Sequence, residues 1–150
     1  MTRIEQASTT FQNGFNCSQA IFTAFADQCG IEPDTACRVA NGFGGGIARH
    51  GEVCGAVTGA VMVIGAVLGR DCTDLTKEKQ EIVYAKTQKL FAEFGIRMGS
   101  VTCKVLLEGI DLRSDAGQNL FSEKEQSSKT CVPCVEAAAE ILELLLKDYP

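Results

Sequence analysis

The chain has 150 residues, 45% of them hydrophobic, and a formal net charge of −5. That length fits one domain with one core, and the composition is ordinary for a globular protein. The acidic balance, with no cluster of Lys and Arg, argues against a nucleic-acid surface, which wants clustered cations for phosphate.

Proline is scarce, long strand-like alternation is absent and helical periodicity dominates. The expected fold is all-α: a single-domain bundle of six or seven helices around a buried glycine/alanine-rich central helix. Residues 1–14 contain no apolar run of the kind found in a secretory signal, so the protein is expected in the cytoplasm. A first helix covers Arg3 to Gln12 and stops at Asn13-Gly14. Asn16 is a good N-cap for a second helix, Cys17 to Gln28, with Ala20, Ile21, Ala24 and Phe25 on its core face. Cys29-Gly30 ends it. Glu32 to Ala40 reads as a short third helix with Pro33 near its first position and Cys37 in its middle.

The loop Asn41 to Gly51 holds five glycines, Gly42, Gly44, Gly45, Gly46 and Gly51. Such a run serves positive φ angles and close backbone approach. It is neither a dinucleotide fingerprint nor a P-loop, because no strand precedes it and the Gly-Lys-Ser/Thr ending is missing. The central helix follows, Val53 to Leu68, with Thr58 its one clearly polar residue. A helix apolar on every side must be buried on every side. Gly55, Ala56, Gly59, Ala60, Gly65 and Ala66 let other backbones come close. The competing membrane span is disfavoured: the run is slightly short and glycine-rich, and spans usually need about 20 apolar residues.

Gly69 closes this helix and Asp71 to Leu75 is a loop. Thr76 caps an amphipathic helix from Lys77 to Phe94, whose apolar face is Ile82, Val83, Leu90, Phe91 and Phe94, and Gly95 is its expected stop. A short helix spans Thr102 to Leu107, closed by Gly109. Asp111 to Thr130 is polar and reads as a long surface loop with at most a turn of helix. The last helix begins at Cys131 or Val132 and runs to Lys147, with Pro133 in its first turn and a core stripe of Val135, Ala138, Ile141, Leu142 and Leu145.

Eight cysteines in a chain expected in a reducing compartment point to metal binding or redox chemistry rather than a disulfide framework. Cys29, Cys37 and Cys72 read as small hydrophobes. The others stand at helix starts: Cys17 after Asn16, Cys54 in the first turn of the central helix, Cys103 after Thr102, and Cys131 with Cys134 at the last helix. A helix N-terminus carries about half a positive charge and unpaired N–H groups, which lower a thiol pKa and hold a thiolate or an anionic cluster. If these starts converge they form a thiolate-rich pocket; the alternative is coincidence among many cysteines. No ferredoxin or zinc-finger spacing links them. Cys131-Val132-Pro133-Cys134 is a C-x-x-C suited to chelation or dithiol exchange, without the βαβ context of a thioredoxin.

The chain resembles the family of redox-active proteins named for a C-GCAxxG-C-C pattern. Phe11 to Ala20 is similar to its opening segment, and Gly44 to Ala60 to its signature, with Cys54-Gly55-Ala56-Val57-Thr58-Gly59 as the core. Gly99 to Cys103 resembles the segment with the third cysteine and Cys131 to Glu140 the closing helix. Cys131 matches the fourth cysteine there, and Cys134 is an extra thiol. The resemblance implies redox activity and a metal or other prosthetic group held by Cys17, Cys54, Cys103 and Cys131. A related segment in split-Soret-type cytochromes, associated with an iron–sulfur centre, favours iron–sulfur over zinc.

Four functions follow as expectations. The first is an iron–sulfur cluster on those four cysteines serving electron transfer with a redox partner protein. The second is a metal-free thiol–disulfide protein in which Cys54 or Cys131 attacks and Cys134 resolves. The others are a structural zinc protein and a binding module with inert thiols. A homodimer is compatible with the glycine-rich face. His50 is either a ligand or proton carrier or a plain surface residue. Arg49 and Glu52 pair with a substrate or with each other, and Thr58 faces the cysteine pocket or bonds back to its own helix. No Ser–His–Asp or paired-carboxylate set can be assembled, so hydrolase chemistry has no support.

Overall fold

The computed structural model describes residues 1–150 and is all-helical, without a strand. Its nine α-helices are α1 (Arg3–Gln12), α2 (Cys17–Ala24), α3 (Ala26–Cys29), α4 (Pro33–Ala40), α5 (Gly55–Leu68), α6 (Glu78–Met98), α7 (Cys103–Leu106), α8 (Asp115–Glu123) and α9 (Val132–Leu145). A 3-10 turn, Asn41–Phe43, follows α4, and a π turn, Ser127–Cys131, leads into α9.

The count exceeds the expected six or seven for local reasons. The helix expected over Cys17 to Gln28 divides at Phe25, whose φ is −109°. Just before it, the Thr23 hydroxyl donates to Gln19 O at 2.7 Å, a back-bond of the kind that bends helices. The expected surface loop after Asp111 contains α8, capped by the Ser114 hydroxyl, which accepts from Gly117 N at 2.9 Å. Leu112 and Phe121 there pack on Cys103, Leu107 and Ile110, forming a second, small core. Gly95 does not stop α6. A lone interior glycine costs about 1 kcal/mol, and the helix runs on to Met98, where Gly99 closes it at φ +91°.

The main core gathers Ala7 of α1, Ile21 and Phe22 of α2, Ala36 of α4, Val57, Ala60 and Ile64 of α5, Leu90 and Phe94 of α6, and Val135, Ala138, Ile141, Leu142 and Leu145 of α9. Phe25 and Phe94 are wholly buried, and each such side chain contributes about 1.5–3 kcal/mol. Helix α5 packs on α2, α3, α6 and α9. It is not enclosed all round: Val61, Met62 and Gly65 are half-buried and Ala66 is exposed. No helix is long and apolar enough to cross a membrane.

The approach of α2 to α5 depends on Gly59. A β-carbon there would lie 2.9 Å from Ser18 O and 3.0 Å from Ile21 Cβ, with backbone that cannot yield. At Gly65, in the same helix, a β-carbon would meet nothing within 4 Å. Gly59→Ala is therefore expected to lower unfolding stability by about 1–3 kcal/mol, and Gly65→Ala to raise it by up to about 1 kcal/mol. Urea denaturation of both variants checks this. Equal effects at the two positions would contradict the close packing of α2 on α5.

Candidate metal and redox centre

Two distant backbone segments meet first. Val53 and Thr102 form an isolated antiparallel bridge. Around it Cys54 N donates to Val101 O at 2.8 Å, Cys103 N to Glu52 O at 2.7 Å, and Lys104 N to Gly51 O at 3.1 Å. Each segment then turns into a helix, so Cys54 caps α5 and Cys103 opens α7 side by side. Gly46 makes room for this pairing: a β-carbon on it would fall 2.7 Å from Cys103 Cβ and 2.6 Å from Glu52 N.

Helix α2 brings the next thiol. Asn16 and Gln19 form a reciprocal capping box, at 2.9 Å and 3.0 Å, and Asn16 Nδ2 donates to Asn41 O at 2.9 Å. The start of α2, with Cys17 as its first residue, is thus tied to the turn that leads into the glycine loop. Cys131 ends the π turn and Cys134 lies in the first turn of α9.

These elements set Cys17, Cys54, Cys103, Cys131 and Cys134 around one cavity of about 120 Å³. The rest of its lining is mainly apolar, from Phe11, Leu106, Leu107, Leu112 and Phe121. Cys54, Cys103 and Cys134 are buried, and Cys17 and Cys131 half-buried. Cys17 interacts most strongly with Cys131 and Cys54 with Cys134, while Cys103 lies within electrostatic reach of Cys54 and Cys131. No three His, Cys, Asp or Glu side chains converge closely enough to hold a single ion. The donors ring a space instead.

The thiols differ in acidity for physical reasons. A hydrogen bond to its partner Cys134 lowers the Cys54 pKa, and the N–H groups of Ala56 and Val57 at the start of α5 lower it further against the opposing effect of burial. The hydrogen bond to Cys54 is also the first cause that raises Cys134, followed by burial. Cys54 is thus the more acidic thiol of this pair and Cys134 the one that keeps its proton longer. Cys17 is raised, first by its hydrogen bond to Cys131 and then by burial, despite its place at a helix start. Burial pushes Cys103 up to about 12. The helix-start rule therefore describes Cys54, at the head of a helix of 14 residues, better than Cys103, whose helix has 4. Cys131 does not stand at a free N-terminus: the backbone is already wound before it, with Val132 N–H bonded to Ser127 O.

The remaining candidates lie apart from the cavity lining. Cys29 is half-buried beside Arg3 and Asp27, and burial raises its pKa to about 11. Cys37 accepts from Gln19 Nε2 at 3.4 Å, and Cys72 is exposed. His50 is exposed, its Nδ1 3.1 Å from Ile47 O. Thr58 donates back to Gly55 O at 3.2 Å. Arg49 and Glu52 do not pair with each other. Sequence reasoning missed the apolar wall made by Phe11, Leu112 and Phe121, and the bridge at Val53 and Thr102. Phe121 carries a weak signal in hindsight, because α8 places it beside Leu120 in an otherwise polar stretch.

An all-α chain that gathers five thiols from α2, α5, α7 and the start of α9 around one apolar cavity is a cysteine-centred protein of redox type. Residues 15–145 match the family described as "Putative redox-active protein (C_GCAxxG_C_C)", and the chain belongs to that family. A protein of Archaeoglobus fulgidus, described as "Uncharacterized protein", is 31% identical over 139 residues, covering 89% of this chain and 85% of its own. No solved structure matches the chain.

In the metal-free protein, Cys54 is expected to ionise below the ordinary thiol range, and Cys103 only near pH 12. Cys54→Ser should delete the thiolate step at lowest pH. Cys134→Ala should move that step upward, because the Cys54 thiolate loses its donor. The ultraviolet thiolate absorbance, followed against pH, reads both shifts. An unchanged first step in Cys54→Ser would refute the assignment.

Proposed function

We propose that the protein holds an iron–sulfur cluster on Cys17, Cys54, Cys103 and Cys131 and exchanges electrons with a partner protein in the cytoplasm. The observation that carries this reading is the donor set itself: thiols from four separate elements lining one mainly apolar cavity. Thiolates are the ordinary ligands of such clusters. The cavity, at about 120 Å³, is several times what one water needs, roughly 10–15 Å³. A group of several atoms suits it better than a lone zinc ion, which wants four donors drawn tightly together.

When bound, the cluster supplies one-electron transfer. The chain's own residues do the rest. A hydrogen bond from Cys134, and then the N–H groups of Ala56 and Val57, favour the thiolate of Cys54. Phe11, Leu106, Leu107, Leu112 and Phe121 keep water from the thiols. Gly45 brings bare backbone to the cavity wall, and backbone N–H groups near the sulfurs tune a potential.

A second reading has its own support. The Cys54–Cys134 pair places a thiol with lowered pKa against a buried neighbour, the arrangement a metal-free dithiol protein needs. In that case Cys54 is the attacking thiolate and Cys134 the resolving thiol.

Single variants separate the two. In anaerobically purified protein, Cys17→Ser, Cys54→Ser, Cys103→Ser and Cys131→Ser should each abolish the broad visible absorption of a cluster, and Cys134→Ser should retain it. Loss of thiol–disulfide exchange in Cys134→Ser, in protein that shows no visible chromophore, would establish the dithiol reading instead.

A further inference from the structure

The thiol cavity opens onto a wider groove of about 550 Å³. The two share Asn16, Gly45, Leu112 and Phe121, so a molecule lying in the groove reaches the cavity mouth. A volume of this size is within the range of small-molecule sites.

One wall of the groove is a left-handed turn. Gly45, Gly46, Ile47, Ala48 and Arg49 have φ values of +66°, +67°, +67°, +47° and +67°. Residues with side chains avoid this conformation, β-branched ones most of all, and a run of them persists only where the surroundings hold it. Here the turn is held by Ala48 N to Gly42 O at 2.9 Å, Gly51 N to Gly45 O at 3.1 Å and Glu52 N to Gly46 O at 2.9 Å. The consequence is positional. Arg49 is folded back over Gly45, where a β-carbon would lie 2.9 Å from Arg49 Cα and 3.1 Å from its Cγ. Arg49 thereby lines the groove beside a residue of the cavity wall.

Arg49 is the one charged residue of that lining; Asn41, Gln118 and Ser122 add neutral polar groups. Arg3, Arg97 and Arg113 are each bonded to a carboxylate, and Arg70 to carbonyl oxygens; the guanidiniums of Arg38 and Arg49 have no such partner, and of these two only Arg49 lines the groove. An unpaired cation held on strained backbone, on a chain of net charge −5, complements an anion.

We propose that this groove binds a small molecule carrying an oxyanion, a carboxylate or phosphate, with that group on Arg49 and the rest directed past Gly45 and Phe121 toward the thiols. The inference rests on the cavity thiols being the reactive centre. It does not depend on which group they hold.

The test uses the full chain stripped of metal and reduced. Two disulfide reagents are compared: dithiobis(nitrobenzoate), a dianion, and dithiodipyridine, which is neutral. In each case a cysteine thiolate attacks one reagent sulfur, a mixed disulfide forms, and the other half leaves as its thiolate or thione. Peptide mapping assigns the label, so reaction at exposed Cys72 is separated from reaction at the cavity. Arg49→Gln should slow labelling of cavity thiols by the dianion about tenfold at low salt, with the neutral reagent unaffected. Arg49→Lys should restore most of the rate, and added salt should shrink the difference. Equal rates for wild type and Arg49→Gln with the dianion would overturn the proposal. So would equal slowing with both reagents, which would mean that the loop had merely collapsed. Neither result depends on whether a cluster binds.

Discussion

Three backbone hydrogen bonds, from Cys54 N, Cys103 N and Lys104 N, decide where the chemistry of this protein lies. They join residues 51–54 to residues 101–104 and set two thiols from distant parts of the chain beside one another. The pairing is short, a single bridge between Val53 and Thr102, yet it fixes how α5 and α7 leave the junction. Cys54 and Cys103 are buried, so their N–H groups would otherwise be polar groups without a partner, and such a group costs about 1–3 kcal/mol. Gly46 is the companion requirement, because any side chain there would displace Cys103 or the backbone of Glu52.

Around that junction the fold does two different things with its cysteines. Cys54 sits at the head of a true helix, where N–H groups favour the thiolate. Cys17, Cys103 and Cys134 are kept protonated by burial and by one another in the absence of a bound group. Several thiolates in one apolar cavity repel, and a cationic metal centre is what would relieve that repulsion.

Much of this was legible in the sequence because the signals are local. Asn16 reads as a cap, Pro33 as a helix start, and the run after Cys54 as a helix of small apolar residues. Placing Cys17, Cys54 and Cys103 at helix starts needs nothing beyond such local signals, and all three lie within the residues that match the family. What the sequence did not show is non-local or irregular. A two-residue bridge has no periodicity. The π turn before α9 hides in a polar run, Ser127 to Thr130, so Cys131 read as the start of a helix that was already wound. Gly95 looked like a stop because glycine usually is one, but its cost is about 1 kcal/mol and the helix packs on the core both before it, at Leu90 and Phe94, and after it, at Met98. The loop after Asp111 looked wholly polar because only Leu112, Leu120 and Phe121 carry its apolar content, and two of them close the cavity.

The central claim is that the thiols of α2, α5, α7 and α9 jointly hold one iron–sulfur group. The most direct measurement is the iron and acid-labile sulfide content of protein purified without oxygen, taken together with its visible spectrum. Iron and sulfide in fixed ratio to the chain, both lost in Cys54→Ser, are the predicted result. Protein without iron or sulfide, even after anaerobic reconstitution, would contradict it.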